Sequence, residues 1–151
     1  MSTTIALERP DTADAVALIA ELDAILTPLY PSESRHGLSV DKLLAEQVDF
    51  FLLRHHGEAA GCAGLKFVGS ECAELKRMYV RPSFRGQGLG KRLLDHLSTH
   101  ARSKGITLLR LETGIHQREA IVLYERSGFT RIPPFAPYRE DPVSRCYEKS
   151  I

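Results

Sequence analysis

The stretch from Glu74 to Lys91 (ELKRMYVRPSFRGQGLGK) limits the possible folds of this chain more than any other segment. It reads as the end of a strand, Cys72 to Val80, followed by a glycine-rich turn that opens a helix over Leu89 to Ser103. Gly86, Gly88 and Gly90 fall within five residues, so the backbone there can come close to a bulky group and leave several N–H groups pointing one way. The helix adds its unpaired first-turn N–H groups and the positive end of its dipole. Strand, glycine turn and helix together predict an anion pocket suited to a phosphate or pyrophosphate.

The rest of the chain sets bounds on what surrounds that pocket. Its 151 residues are a single-domain length, so residues 1–151 are read as one domain. The net charge of +1 argues against a nucleic-acid partner held by bulk electrostatics. No apolar run approaches the ~20 residues of a membrane span, and the start, Met1 to Ile5, lacks the charged and apolar regions of a signal peptide. Cys62, Cys72 and Cys146 are odd in number and share no C-x-x-C spacing. They read as free thiols in a reducing cytoplasm.

Periodicity and punctuation give an element order of β-α-α-β-β-β-α-β-α-β-β. A strand at Ile5 to Arg9 leads into a helix capped by Asp11 or Thr12, whose apolar positions Ala15, Val16, Leu18, Ile19, Leu22, Ile25 and Leu26 run at the 3.6 period up to Pro28. A polar loop over Tyr30 to Gly37 precedes a short helix capped by Ser39. Phe50 to Arg54 and Ala59 to Phe67 form a hairpin around His55 to Glu58. Strand Leu108 to Thr113 and helix Arg118 to Ser127, stopped by Gly128, follow. Strands Phe129 to Ile132 and Arg145 to Lys149 flank a proline-rich loop. The class is α+β, close to α/β, with a mixed sheet.

Two familiar phosphate-binding patterns fail on the glycine turn. A Walker A loop needs a glycine five residues before Gly90 and Ser or Thr after Lys91; position 85 is Arg and position 92 is Arg. A dinucleotide fingerprint needs G-x-G-x-x-G, and here the spacing is G-x-G-x-G with no βαβ unit before it. The pattern that fits is R-x-x-G-x-G over Arg85 to Gly90. With Leu75 to Pro82 before it, this resembles the acetyl-coenzyme A signature of the GNAT N-acetyltransferase superfamily. A second segment, Leu111-Glu112-Thr113 and then Gln117 to Phe129 ending in L-Y-x-x-x-G-F, resembles that family's later strand and helix. One departure is Gln117, where many relatives carry asparagine; glutamine keeps the amide on a longer arm.

The resemblance implies a GNAT fold: a central sheet of about six to seven strands with a splayed parallel pair, flanked by about four helices. It implies acetyl-coenzyme A as cofactor, with the splayed strands being Cys72 to Val80 and Leu108 to Thr113. Met78, Tyr79 and Val80 would then offer backbone groups to the pantetheine arm and the acetyl carbonyl, and Gln117 would contact the arm. Arg85, Gly86, Gln87, Gly88, Leu89 and Gly90 would donate N–H groups to the pyrophosphate, with Lys91 adding charge. Tyr124 would be the general acid that protonates the departing thiolate. A ternary-complex transfer to a primary amine follows, with room for a homodimer and none for a membrane or nucleic-acid partner.

The resemblance does not assign the base that takes the amine proton. Glu74, in phase with Lys76 and Met78, is the expected residue; Glu112, His36 and His116 are the alternatives. His96 and His100 stand four apart, but no third ligand accompanies them, so no metal is expected. Substrate recognition is assigned to the two irregular segments, Tyr30 to Gly37 and Ile132 to Pro142, through Glu33, Arg35, His36, Tyr138 and Arg139, together with Arg77 of the strand Cys72 to Val80. Their mixed charges suit a small polar or amino-acid-like amine. Transfer to a protein lysine or N-terminus, or a coenzyme-binding regulatory module without catalysis, are the alternatives.

Overall fold

The structure is a computed structural model that describes residues 2–151; Met1 lies outside the described residues. Its elements are β1 (Thr3–Leu7), α1 (Ala13–Leu26), α2 (Val40–Ala45), β2 (Asp49–His55), β3 (Glu58–Val68), β4 (Cys72–Val80), α3 (Leu89–Ser103), β5 (Leu108–Gly114), α4 (Arg118–Arg126), β6 (Thr130–Ile132) and β7 (Ser144–Ser150). The order is the one read from the sequence. The first strand lies two residues earlier than expected, because its pairing with β2 runs from Thr3↔His55 to Leu7↔Phe51.

Seven strands form one sheet in the order β1-β2-β3-β4-β5-β7-β6, antiparallel everywhere except between β4 and β5. Helices cover both faces. On one, Leu89, Leu93, Leu94, Leu97 and Ala101 of α3 and Ile121 and Tyr124 of α4 pack on Phe51, Leu53, Leu75 and Leu111. On the other, Ala15, Leu18, Ile19 and Leu22 of α1 and Leu43 of α2 pack on Phe50, Leu52, Cys62 and Tyr79. The run Phe50-Phe51-Leu52-Leu53 is apolar without a break because successive residues of β2 feed opposite cores. Each such side chain contributes about 1.5–3 kcal/mol of burial.

Side-chain caps set the first helices. The Thr12 hydroxyl accepts the Ala15 N–H, and the Ser39 hydroxyl accepts the Lys42 N–H. The turn of the β2–β3 hairpin has His56 and Gly57 both at positive φ, which matches the right-handed twist of the strands.

Two irregularities of β4 build the site. Lys76 stands opposite Gly64 and Tyr79 opposite Cys62, so Arg77 and Met78 together face one residue, Ala63. Arg77 takes φ 55 to do so. This bulge reverses the strand's facing. Met78 joins the α3/α4 core side with Ala73 and Leu75, while Tyr79 joins the α1 side. Met78 is therefore out of phase with Glu74 and Lys76, which corrects the simple alternation read from the sequence. The second irregularity is the splay: β4 and β5 pair only over Cys72↔Leu108, Ala73↔Leu109 and Glu74↔Arg110. Beyond that point β4 stays bonded to β3 as far as Val80↔Gly61, and β5 to β7 as far as Gly114↔Ser144. The strands part, and a cleft opens between them.

Candidate active site

Beyond the splay lies a cleft of about 110 Å³ lined by Lys76, Arg77 and Met78 of β4, Leu111, Glu112 and Thr113 of β5, and Ala120 and Tyr124 of α4. Gln117 and the loop residues Tyr30, Arg35, His36 and Tyr138 complete the wall. Tyr124, Gln117, Met78, Arg77, Arg35, His36 and Tyr138, assigned from widely separated segments of sequence, thus converge on one space. Glu33 does not: it sits exposed on a 3-10 turn, outside the cleft lining. Arg139 is likewise exposed and outside it.

Past the end of β4 the glycine turn leads into α3. Gly86 and Gly88 adopt φ 79 and φ 75, and a side-chain carbon built on either would meet nothing within 4 Å. Both positions therefore need glycine for conformation and leave open space above the backbone. Gly90 has a different job: a Cβ there would stand 2.8 Å from Leu123 Cδ2, so it lets α4 approach α3. Among the described residues, the backbone N–H groups of Gly86 through Lys91 make no backbone hydrogen bond, while that of Arg92 reaches the Gly88 carbonyl. These groups form an anion nest at a helix N-terminus. It fits a pyrophosphate in both charge and space.

The Arg85 N–H does not belong to the nest, since it donates to the Pro82 carbonyl. The guanidinium of Arg85 instead holds the Val80 carbonyl at 3.0 Å and Glu119 at 3.3 Å. Arg85 thus ties the turn to the end of β4 and to α4, a correction to its reading as an N–H donor. Leu89 contributes only backbone, its side chain being buried in the core. Lys91 is exposed and paired with Asp95 at 2.8 Å. Gln87 reaches the Phe84 carbonyl at 3.4 Å.

Tyr124 is 5% exposed and packs edge-on against Phe129 at 5.8 Å. Its hydroxyl makes no hydrogen bond to another described residue. Burial and the nearby Glu112 carboxylate raise its pKa well above the ordinary phenol range, so it carries its proton at neutral pH. Gln117 precedes α4, and its side-chain carbonyl accepts the Tyr30 hydroxyl proton. That hydroxyl in turn accepts the His116 N–H at 2.9 Å. Tyr30 was not singled out as a site residue from the sequence. The available signal was Gly114: a Cβ at that glycine would stand 2.1 Å from the Tyr30 ring, so glycine at the end of β5 makes room for it.

The carboxylates differ sharply. Glu74 is 4% exposed, accepts the Tyr138 hydroxyl proton, and pairs with Lys76 at 2.9 Å. Lys76 also donates to the Tyr138 oxygen at 2.5 Å. This closed triad holds the β6–β7 loop on β4, and Glu74 is not among the residues lining the cleft. Glu112 does line it. Its Oε2 accepts the Ser144 hydroxyl proton at 2.5 Å, and Oε1 makes no hydrogen bond to any described residue. Burial raises the Glu112 pKa, opposed by the Ser144 hydrogen bond and by the nearby His36 and Lys76.

The cations divide in the same way. Arg77 is buried and holds Asp23 at 2.6 Å and the Ile19 carbonyl on α1, so it ties the bulge to α1. Arg35 is exposed and bonds only the Thr27 hydroxyl at 3.2 Å. His36 stacks edge-on against Tyr138 at 5.1 Å. The two loops are joined by the Ser34 hydroxyl, which donates to Asp141 at 2.5 Å. His100, read as a packing residue, pairs with Asp49 at 2.8 Å and stacks on Phe51.

The acetyltransferase (GNAT) family model matches residues 19–129. The chain is 40% identical to a protein named IAA acetyltransferase from Azospirillum brasilense, over 99% of both chains. It is 32% identical to an aminoalkylphosphonate N-acetyltransferase of Salmonella typhimurium, over 79% of each. Among solved structures, the PaiA N-acetyltransferase of Thermoplasma acidophilum, crystallised with coenzyme A, superposes with a TM-score of 0.79 at 24% identity over the whole of both chains.

Proposed function

The chain belongs to the acetyltransferase (GNAT) family, and on that premise we propose that it transfers the acetyl group of acetyl-coenzyme A to the amine of a small molecule that also carries an anion. The observation that supports this most is the cleft itself. It holds a buried, protonated tyrosine and a carboxylate, with Arg35 and His36 in its wall, and the strand that forms one side, β4, runs on into the turn whose N–H groups form the anion nest.

Bound acetyl-coenzyme A supplies the thioester, whose C–S bond breaks as the C–N bond forms. The N–H groups of Gly86 to Lys91 hold the pyrophosphate at the head of α3. The edge of β4 beyond Glu74, left unpaired by the splay, offers Met78 and Val80 backbone groups to the extended arm. Gln117, at the head of α4, stands where the arm would pass. Tyr124 gives its hydroxyl proton to the departing sulfur, and the phenolate then takes a proton from the newly bonded nitrogen. A Met78 or Tyr79 N–H meets the developing oxyanion.

The acceptor assignment rests on which charges are free. Arg77, Lys76 and Tyr138 are held by internal partners, which leaves Arg35 and His36 at the mouth for an anion and Glu112 within for an ammonium. The Salmonella typhimurium relative is named for aminoalkylphosphonates, which pair an amine with an anion on a short chain. No helix among the described residues is long and apolar enough to cross a membrane. The cysteines are unpaired, with Cys62 buried and its thiol pushed up to about 12, in keeping with the reducing cytoplasm as its place.

The test is thiol release with 2-aminoethylphosphonate, free amino acids, spermidine and a lysine-rich peptide at equal concentration. The anionic amines are expected to give the highest kcat/KM. Highest activity on spermidine or the peptide overturns the acceptor class. Coenzyme A binding with no thiol release on any amine leaves a binding module.

A further inference from the structure

Glu74 pairs with Arg110, and Glu112 lies two residues beyond that partner on the same side of the parted strands, yet the two carboxylates have opposite surroundings. Glu74 is held in a closed triad, since the Tyr138 hydroxyl and the Lys76 ammonium meet at its Oε2 and its side chain is 6% exposed. Lys76 and Tyr138 reach the cleft wall, but Glu74 itself stands behind them, outside the lining. We propose that Glu112, positioned by Ser144, is the group that takes the proton from the acceptor's ammonium; this rests on the acetyltransferase reading above.

Four observations converge on it. Glu112 lies on the free stretch of β5 beyond Arg110, where the pairing with β4 has ended. It lines the same cleft as Tyr124, and the two groups are close enough for the carboxylate to bear on the phenol's titration. Its Oε2 is fixed by Ser144 of β7 at 2.5 Å, which sets the side chain's direction and leaves Oε1 as the acceptor. The fourth is electrostatic: burial raises its carboxyl above the ordinary glutamate value, which makes it a stronger base than an exposed carboxylate.

The step moves one proton. An N–H bond of the bound ammonium breaks, an O–H bond forms at Oε1 of Glu112, and nitrogen keeps the electron pair with which it attacks the acetyl carbon. The carboxyl returns the proton to solvent through the mouth of the cleft after product leaves. Ser144 touches neither substrate nor coenzyme and is a positioning residue.

Several groups bear on this titration. His36 from the α1–α2 loop and Lys76 from β4 favour the carboxylate, and Glu74 opposes it. Tyr30, Tyr124 and Tyr138 are neutral phenols facing it from the loops and α4, and Cys146 lies opposite on β7.

Glu112→Gln and Glu74→Gln, compared over pH with the best amine of the panel above, test the proposal. Glu112→Gln is expected to lower kcat/KM by about 10²–10⁴-fold near pH 7, with coenzyme A affinity unchanged. The acid limb of its profile should move up to the ionisation of the substrate's own ammonium. Glu74→Gln should keep the wild-type limb, whatever rate it loses through the loop. Ser144→Ala removes a hydrogen bond to the carboxylate and should move the limb to higher pH, which a merely structural loss would not do. A wild-type limb in Glu112→Gln, or its loss in Glu74→Gln, overturns the proposal.

A readout without turnover is the ¹³C resonance of the Glu112 carboxyl in the free enzyme, assigned by its absence from Glu112→Gln. It should titrate above the ordinary glutamate range; titration within or below that range overturns the proposal. If the wild type acetylates no amine, the functional reading has failed, and this titration still decides whether Glu112 is built as a base.

Discussion

The donor end and the acceptor end of the site are made in different ways. The donor end, Gly86 to Lys91, is a local structure: consecutive residues, two left-handed glycines and the first turn of a 15-residue helix. The acceptor end is assembled from four separate segments, with Tyr30 to His36, Lys76, Glu112 and Tyr138 to Ser144 meeting through hydrogen bonds that span up to 107 positions in sequence. A local structure survives most changes elsewhere in the molecule. An assembled one depends on every tie that holds it, so its specificity can change without loss of the fold.

The largest expected effect falls where the two ends meet. Tyr124→Phe keeps the ring against Phe129 and removes only the proton, and should lower turnover by roughly 10²–10⁴-fold with coenzyme A affinity unchanged. Stopped-flow thiol release measures it, and retention of more than half the activity reassigns the tyrosine to packing.

Next comes the donor end alone. Gly88→Asp puts a negative charge over the nest in a position with open space, and should weaken coenzyme A binding by about 100-fold or more. Gly88→Asn carries the same backbone strain without the charge, so calorimetry on the pair separates electrostatics from conformation. Equal affinities for the two would break the assignment of the nest.

The acceptor end responds more narrowly. Arg35→Ala should raise KM about 10-fold for amines that carry an anion and leave KM for simple alkylamines unchanged. A uniform rise for both would show that Arg35 shapes the loop through Thr27 rather than binding substrate.

The smallest effect is on stability. Burial raises the Glu112 pKa, so the folded state holds this proton more tightly than the unfolded chain does. The wild type therefore gains stability as pH falls through that raised value, and bears the cost of the buried charge above it. Glu112→Gln should unfold at a higher temperature than wild type at pH 7, with the difference shrinking toward pH 4. Identical melting curves at both pH values would show that the site bears no such cost.

Much of the frame was legible in sequence because it is written in local chemistry. Thr12 and Ser39 announce helix starts, the bounds of β4 and α3 follow from their runs and glycines, and the motif order implied a splayed sheet that the strand pairing displays. The convergence of Tyr124, Gln117 and Met78 followed from the same two motifs.

What only tertiary structure decided is which polar groups are free. Glu74 and Glu112, like Arg77 and Arg35, are chemically alike in a string of letters. The bulge at Arg77 turns β4 so that Arg77 meets Asp23. The β6–β7 loop folds back so that Tyr138 and Lys76 close on Glu74, while Ser144 turns Glu112 into the gap. Sequence determines the pieces whose energies come from neighbours within about one helical turn or one strand pair. A side chain's availability depends instead on partners far along the chain, because burial and pairing are properties of the folded neighbourhood.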